Sequence, residues 1–164
     1  MIKNFFINNR IKKSKKTEAH DTYEKAERLG ILFNADEFGP ATIHEAQMAL
    51  ENDRKFVSKL GFTNVIPKDL TQLEESAFTR KDISPTGSIR KTSVTKFIEK
   101  PFDFLISLDT SSDINYKYVL ASSNAICKVG FQANDYENLL TMFMKPSADK
   151  NKCVKDLISY LKKI

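Results

Sequence analysis

The sequence predicts a single α/β domain with a mainly parallel sheet. An apolar run at residues 29–33 and a run of strand-forming residues at 102–108 are each followed by a polar loop and by a pattern typical of an amphipathic helix. Strands that are apolar throughout are buried on both faces, and strands that alternate with helices pair in parallel because each crossover lays a helix on the sheet. We therefore expect a Rossmann-like sheet of about five strands with helices on both faces.

The first strand leads into a long helical pattern. Thr42 and Glu45 have the spacing of a capping box, in which each side chain bonds the backbone N–H of the other residue. Apolar residues continue at helical spacing from Ile43 to Leu60, and Gly61 follows as a stop. The expected elements of this half are a strand at residues 29–33, a helix from Thr42 to Leu60 and a strand at residues 62–66.

The second half begins with an irregular excursion over residues 67–101, which prolines and charges interrupt. Thr110 and Asp113 again have capping-box spacing, and the last apolar stripe of the chain follows the i, i+3, i+4, i+7 pattern. The expected elements are a short helix at Val94, Phe97 and Ile98, strands at residues 102–108, 126–131 and 139–144, a helix at residues 113–125, and a final helix that opens at Pro146 and Ser147 and buries Val154, Leu157, Ile158 and Leu161.

The positive charge of the chain is concentrated at its start. Residues 1–16 hold six of the 26 lysines and arginines and no acid, which leaves 20 bases against 21 acids in residues 17–164. We expect residues 1–16 to form a solvated basic arm whose deletion leaves the fold intact, and residues 17–164 to form the domain. Because the body is neutral, nucleic acid is not an expected partner. The apolar runs are too short for a membrane span and the start lacks a secretion signal, so we expect a cytoplasmic protein.

The sequence lacks the motifs that carry cofactors or nucleophilic catalysis. No two of the five glycines are close enough to form a dinucleotide fingerprint or a phosphate-binding loop. His20 and His44 have no nucleophile in a recognisable motif, and Cys127 and Cys153 lie in apolar patterns typical of buried thiols. We therefore assign no cofactor, no metal and no catalytic residue.

A ligand site is nevertheless expected at one edge of the sheet. In open parallel sheets, ligands bind beyond the carboxyl ends of the strands. The hydroxyl and N–H groups of a helix start favour an anion there, although Ser, Thr and Asp at such a position also serve as ordinary helix caps. An anion would need a further cation, which Lys81, Arg90 or Lys91 could supply. The candidate ligand-binding residues are Asn34, Asp36, Asp109, Thr110, Ser111 and Ser112.

Two resemblances are visible in these segments. The segment PFDFLISLDTSSDINYKYVLASSNAICKVGF at residues 101–131, with RLGILFNA at residues 28–35, resembles a family of short bacterial proteins of unknown function. The same segment at residues 101–131 more faintly resembles the N-terminal domain of heptosyltransferase-type glycosyltransferases. That second resemblance implies a Rossmann-like half and carries over no catalytic residue, because the nucleotide-sugar-binding domain of those enzymes has no counterpart in this sequence.

Three functions are compatible with these observations. The first is a non-catalytic module that binds a partner protein or a second copy of itself through the arm or the excursion. The second is a binder of a small anionic or sugar-like metabolite at the strand ends. The third is a small enzyme that uses Asp36 or Asp109 as a general base. We rank them in this order because the sequence shows no paired catalytic constellation.

Overall fold

The computed structural model describes residues 7–11, 22–65, 76–133, 136 and 138–164. His20, residues 1–6 and 12–16 of the arm and residues 67–75 of the excursion lie outside the described residues. Residues 7–11 are helical. The elements that follow are β1 (Arg28–Asn34), α1 (Pro40–Glu51), β2 (Phe56–Phe62), β3 (Ala77–Phe78), a 3-10 turn (Arg80–Asp82), α2 (Thr92–Glu99), β4 (Phe104–Leu108), α3 (Ile114–Ser122), β5 (Cys127–Phe131), β6 (Met142–Met144) and α4 (Lys150–Leu161).

The strands form one six-stranded sheet in the order β3-β2-β1-β4-β5-β6, and every neighbouring pair is parallel. This order is that of doubly wound dinucleotide-binding folds, and it confirms the predicted Rossmann-like α/β fold. The chain winds outward from β1 through β2 to β3 and then returns to place β4 on the other side of β1. The point at which the winding reverses therefore lies between β1 and β4.

Helices cover both faces of the sheet, as expected for strands that are apolar throughout. One apolar cluster joins α2 and α3 to one face and contains Val94, Phe97 and Leu120. The other joins α1 and α4 to the opposite face. Its residues from α4 include the predicted stripe of Val154, Leu157, Ile158 and Leu161, each at most 6% exposed. The short helix predicted at Val94, Phe97 and Ile98 is also confirmed.

The predicted long helix from Thr42 to Leu60 is wrong. The helix α1 ends at Glu51, and Phe56–Phe62 form β2. The polar run that follows Glu51 ends the helix, and Arg54 adopts a left-handed backbone with φ of 62°. Gly61 is inside β2 rather than at a helix end, and a Cβ there would lie 2.8 Å from the Phe33 ring. The predicted capping box of Thr42 is also absent, since α1 starts at Pro40 after Gly39 without a side-chain cap.

Other element starts differ in detail. The cap of α3 is Asp113 itself, whose carboxylate accepts from the N–H groups of Asn115 and Tyr116, so Thr110 is not the cap. The final helix starts at Lys150 and is capped by Asp149, after the predicted opening. The two-residue strand β3 was not predicted, because so short a segment has no periodicity to recognise.

Part of the predicted arm belongs to the core. Ile7 is fully buried in the cluster beneath α2 and α3, and Ile11 packs against that cluster. The expectation of a solvated arm is therefore wrong for residues 7–11. We expected a solvated arm because the segment is strongly charged. Charge alone does not reveal that its two isoleucines lie one helical turn apart and can pack on the same side of a helix. The boundary between arm and domain stays a prediction.

Candidate binding sites

The first candidate site is the switch-point cluster, which we define as Asn34, Asp109 and Ser111. Asn34 ends β1 and Asp109 follows β4, so the reversal of the winding brings them together. The Asn34 Nδ2 donates to Asp109 Oδ1 at 2.7 Å and to Ser111 Oγ at 3.1 Å. Both Asn34 and Asp109 are 1% exposed. The structure thus assembles three of the six predicted site residues at the predicted place.

The Asp109 carboxylate is filled by donors from within the protein. Its Oδ1 accepts from Asn34 and from Ser111 Oγ at 2.7 Å. Its Oδ2 accepts from the Ser112 N–H at 3.0 Å and from the Tyr136 hydroxyl. Burial, followed by the charges around it, raises the pKa of Tyr136, so this hydroxyl stays a donor at physiological pH. A carboxylate with four donors is a structural anchor, because no lone pair remains directed at a ligand.

The other three predicted residues, Asp36, Thr110 and Ser112, bond to other groups of the protein. Asp36 is exposed and turns towards the end of β2, where it accepts from Thr63 Oγ1 at 2.6 Å and from the Asn64 N–H at 2.8 Å. Thr110 donates its N–H and its hydroxyl to Glu37, at 3.0 and 2.7 Å. The Ser112 N–H, which we expected to bind an anion, is occupied by Asp109.

A lysine side chain does lie beside the turn at residues 109–112, but it is not Lys81, Arg90 or Lys91, the cations that we expected there. Lys150, at the start of α4, places its Nζ 3.1 Å from Thr110 Oγ1 and 3.5 Å from Glu37. Its ammonium also lies 5.2 Å from the centre of the Phe38 ring. Lys91 instead donates to the Ala77 carbonyl at β3. Lys150 is distant from the turn in sequence, so only the packing of α4 could reveal it.

The second candidate site is a cavity of about 310 Å³ between β2 and α2, which we call the basic groove. Its described lining holds three lysines, four hydroxyl side chains and no acid. One lysine, Lys100, donates to Ser58 Oγ at 2.8 Å. The lining residues are Ser58, Lys59, Leu60, Ser76, Thr92, Ser93, Lys96, Phe97 and Lys100. No motif indicates this site, because its residues come from three separate segments.

Other features carry less chemistry. A cavity of about 350 Å³ between α1 and α4 is bordered by the Lys155–Glu45 ion pair.

Cys127 and Cys153 are buried free thiols, as predicted, and burial raises the pKa of Cys127 to about 11. Within the described part of the chain no group of three or more His, Cys, Asp or Glu side chains is placed to hold a metal. None of the described helices combines the length and apolar character that crossing a membrane requires.

Comparison with known proteins assigns the chain to a family without assigning an activity. No curated protein and no solved structure matches it. The resemblance to the heptosyltransferase-type domain therefore stays a prediction. A family model matches residues 3–164, nearly the whole chain, and confirms the resemblance to proteins of unknown function. The chain belongs to the family of unknown function DUF6913.

Proposed function

We propose that this chain is a non-catalytic binding module that takes an extended, acidic segment of a partner protein along the outer edge of β2. The observation that carries the proposal is an open strand edge beside the basic groove. β2 spans seven residues, yet β3 pairs only with Gly61 and Phe62. Within the described chain, the outer edge of β2 from Phe56 to Leu60 has no strand beside it. Such an edge is a template for strand addition.

The hydrogen-bond register identifies the backbone groups that would pair. Gly61 donates its N–H outward to the Ser76 carbonyl, and Thr63 donates outward to Phe78. Backbone direction alternates along a strand, so Val57 and Lys59 also direct their peptide groups outward. An extended segment beside them would continue the sheet where β3 stops.

The charge of the groove favours an acidic partner. Lys59, Lys96 and Lys100 line it, and none of them pairs with an acid in the described chain. Phe56, at the start of the open edge, is 74% exposed and offers apolar contact to a partner side chain. A second copy docking through the same groove would bring these lysines against their own copies, which disfavours self-association there.

The switch-point cluster supports a non-catalytic function. A general base needs a lone pair within reach of a substrate proton. Asp109 lacks one, because its oxygens accept four internal hydrogen bonds. Asp36 accepts two hydrogen bonds, which hold it at the end of β2 and outside the cluster. We place the module in the bacterial cytoplasm, where its free cysteines stay reduced.

The test is amide chemical-shift mapping with a short synthetic peptide in which Glu and Val alternate. Strand addition predicts shifts at Val57 and Lys59, and no binding of a matched peptide N-methylated at alternate amides. A variant with Lys59→Glu, Lys96→Glu and Lys100→Glu should lose binding. The control is Lys152→Glu, an exposed lysine on α4, which should bind as the unmodified protein does. Equal binding of the N-methylated peptide would refute strand addition.

The second candidate function is binding of a small anionic or sugar-like metabolite at the switch point. The adjacency of Thr110, Glu37 and Lys150 favours it, because this trio offers a hydroxyl, a carboxylate and an ammonium group at the sheet's carboxyl edge. Such a ligand would contact the rim rather than Asp109. Titration with phosphate and with free sugars should shift the amides of Thr110 and Ser111. No response at millimolar concentration would exclude this function.

A further inference from the structure

We infer that the basic groove contains a phosphate subsite at the start of α2, so that the partner segment it takes is phosphorylated. The inference rests on the proposed function, because it names the chemistry of the segment that would lie along β2. It is carried by three features of the groove: N–H groups without an acceptor among the described residues, a buried hydroxyl without a partner among them, and an excess of cations in the described lining.

The start of α2 offers backbone donors. The N-cap residue Lys91, which precedes the helix, provides no side-chain cap, and the first turn contains no acid. The N–H groups of Val94 and Thr95 both donate to the Lys91 carbonyl. Those of Thr92 and Ser93 have no acceptor among the described residues. N–H groups in this position, together with the helix dipole, favour a bound anion.

The Ser93 hydroxyl is an independent indication of a ligand. Its Oγ is buried, lines the basic groove and has no hydrogen-bond partner in the described chain. A buried polar atom without a partner destabilises a fold, so native proteins satisfy nearly all of them. A phosphate oxygen in the groove would accept from this hydroxyl and from the neighbouring N–H groups at once.

The charge of the groove around the subsite matches phosphate better than carboxylate. Lys59, Lys96 and Lys100 line the same cavity, with no acid among its described lining residues. A phosphorylated serine or threonine carries about −1.5 to −2 charges at neutral pH and three acceptor oxygens. A single carboxylate would leave more of the donors unpaired. The cavity volume of about 310 Å³ leaves room for the backbone that carries the phosphate.

A nucleic acid would present phosphates too, but the groove fits it less well. Single-stranded nucleic acids bind through bases stacked on aromatic side chains. The aromatic ring that lines the groove, Phe97, is only 4% exposed, which leaves Phe56 at the start of β2 as a single exposed ring beside it rather than a row of rings for successive bases. The outward peptide groups of Val57 and Lys59 would also stay unpaired beside a nucleic acid, whereas an extended peptide pairs with them.

The experiment compares three peptides of one alternating sequence, with serine, phosphoserine or aspartate at the same position, and adds inorganic phosphate and a single-stranded oligonucleotide as separate probes. We expect the phosphoserine peptide to bind at least about tenfold tighter than the other two, the effect of one further charge-assisted hydrogen bond. Inorganic phosphate alone should shift the amides of Thr92 and Ser93.

Ser93→Ala should keep the fold, because the hydroxyl that it removes has no partner in the described chain, and it should weaken binding of the phosphoserine peptide more than binding of the serine peptide. Ser93→Asp should abolish the preference for phosphoserine. Equal affinity for all three peptides would overturn the subsite but not strand addition. Failure of every peptide to bind would overturn the proposed function itself. Tighter binding of the oligonucleotide than of the phosphoserine peptide would overturn both in favour of a nucleic-acid partner.

Discussion

Replacing Asp109 with Asn removes the charge at the switch point and keeps the shape of the side chain. Asp109 accepts two hydrogen bonds on each oxygen, and one donor on each side is an N–H group: Asn34 Nδ2 at Oδ1 and the Ser112 N–H at Oδ2. The Asn34 amide cannot turn over without setting its NH₂ group against the Asp36 N–H, which its Oδ1 now accepts. Whichever way the new amide turns, its NH₂ faces one of these donors. One buried N–H group is therefore left unpaired.

An unpaired buried donor costs about 1–3 kcal/mol. Removal of a buried negative charge offsets part of this loss. We therefore expect Asp109→Asn to lower the free energy of unfolding by ~1–3 kcal/mol, measured by urea denaturation followed by circular dichroism. Asp36→Asn is the matched control, since Asp36 is exposed, and should change stability by less than ~1 kcal/mol. A stabilised Asp109→Asn variant would show that the four-donor arrangement does not hold the native state.

Three further perturbations test the packing and electrostatics of the fold. Ile7→Ala should lower the free energy of unfolding by ~2–5 kcal/mol because Ile7 is fully buried. The control is Arg10→Ala, since Arg10 is exposed. An effect of Ile7→Ala no larger than that of this control would place residues 7–11 outside the core. Leu157→Ala should cost a similar ~2–5 kcal/mol in the same assay, and a loss below about 0.5 kcal/mol would mean that α4 does not face the sheet. Burial lowers the pKa of Lys128 from 10.5 to about 8, so the unfolded chain binds more protons between these values, and this residue's contribution to stability rises with pH from about 8. Between pH 7 and pH 10, the free energy of unfolding of the unmodified protein should therefore rise by ~3 kcal/mol relative to that of Lys128→Met. A difference between the two proteins that does not depend on pH would contradict the burial of a charged ammonium.

The fold was predictable where burial dominates the pattern. Residues 29–33 are apolar throughout and residues 104–108 are apolar except for Ser107, because both faces of β1 and β4 are covered, and the stripe of α4 repeats with the helical period. The pattern failed at residues 52–61. There, Val57 and Leu60 continue the helical spacing of α1, although they belong to a strand whose first four residues are not buried and therefore show no clear alternation.

The site was predictable only to the extent that topology determines it. Asn34 and Asp109 follow apolar strands, and parallel strands bring their carboxyl ends to the same edge, so their proximity follows from the element order. The fourth donor to Asp109 was not foreseeable, because Tyr136 reaches it from a loop after β5. The basic groove was equally hidden, since it depends on how short β3 is and on where α2 packs against β2.

Lysines near a strand edge can protect against aggregation or can bind an acidic partner. The positions of the lysines in the basic groove allow these two roles to be distinguished. A lysine on an edge strand opposes pairing with other copies, which protects against aggregation. Lys59 is on that strand, whereas Lys96 is on α2 and Lys100 directly follows it. Protection alone predicts that Lys59→Thr lowers solubility, that Lys96→Thr leaves it unchanged, and that neither change alters peptide binding. Partner binding predicts that each change weakens binding of the acidic peptide and reduces its salt dependence, because both residues line the same cavity. Peptide affinity unchanged in Lys96→Thr would restrict the lysines to a protective role.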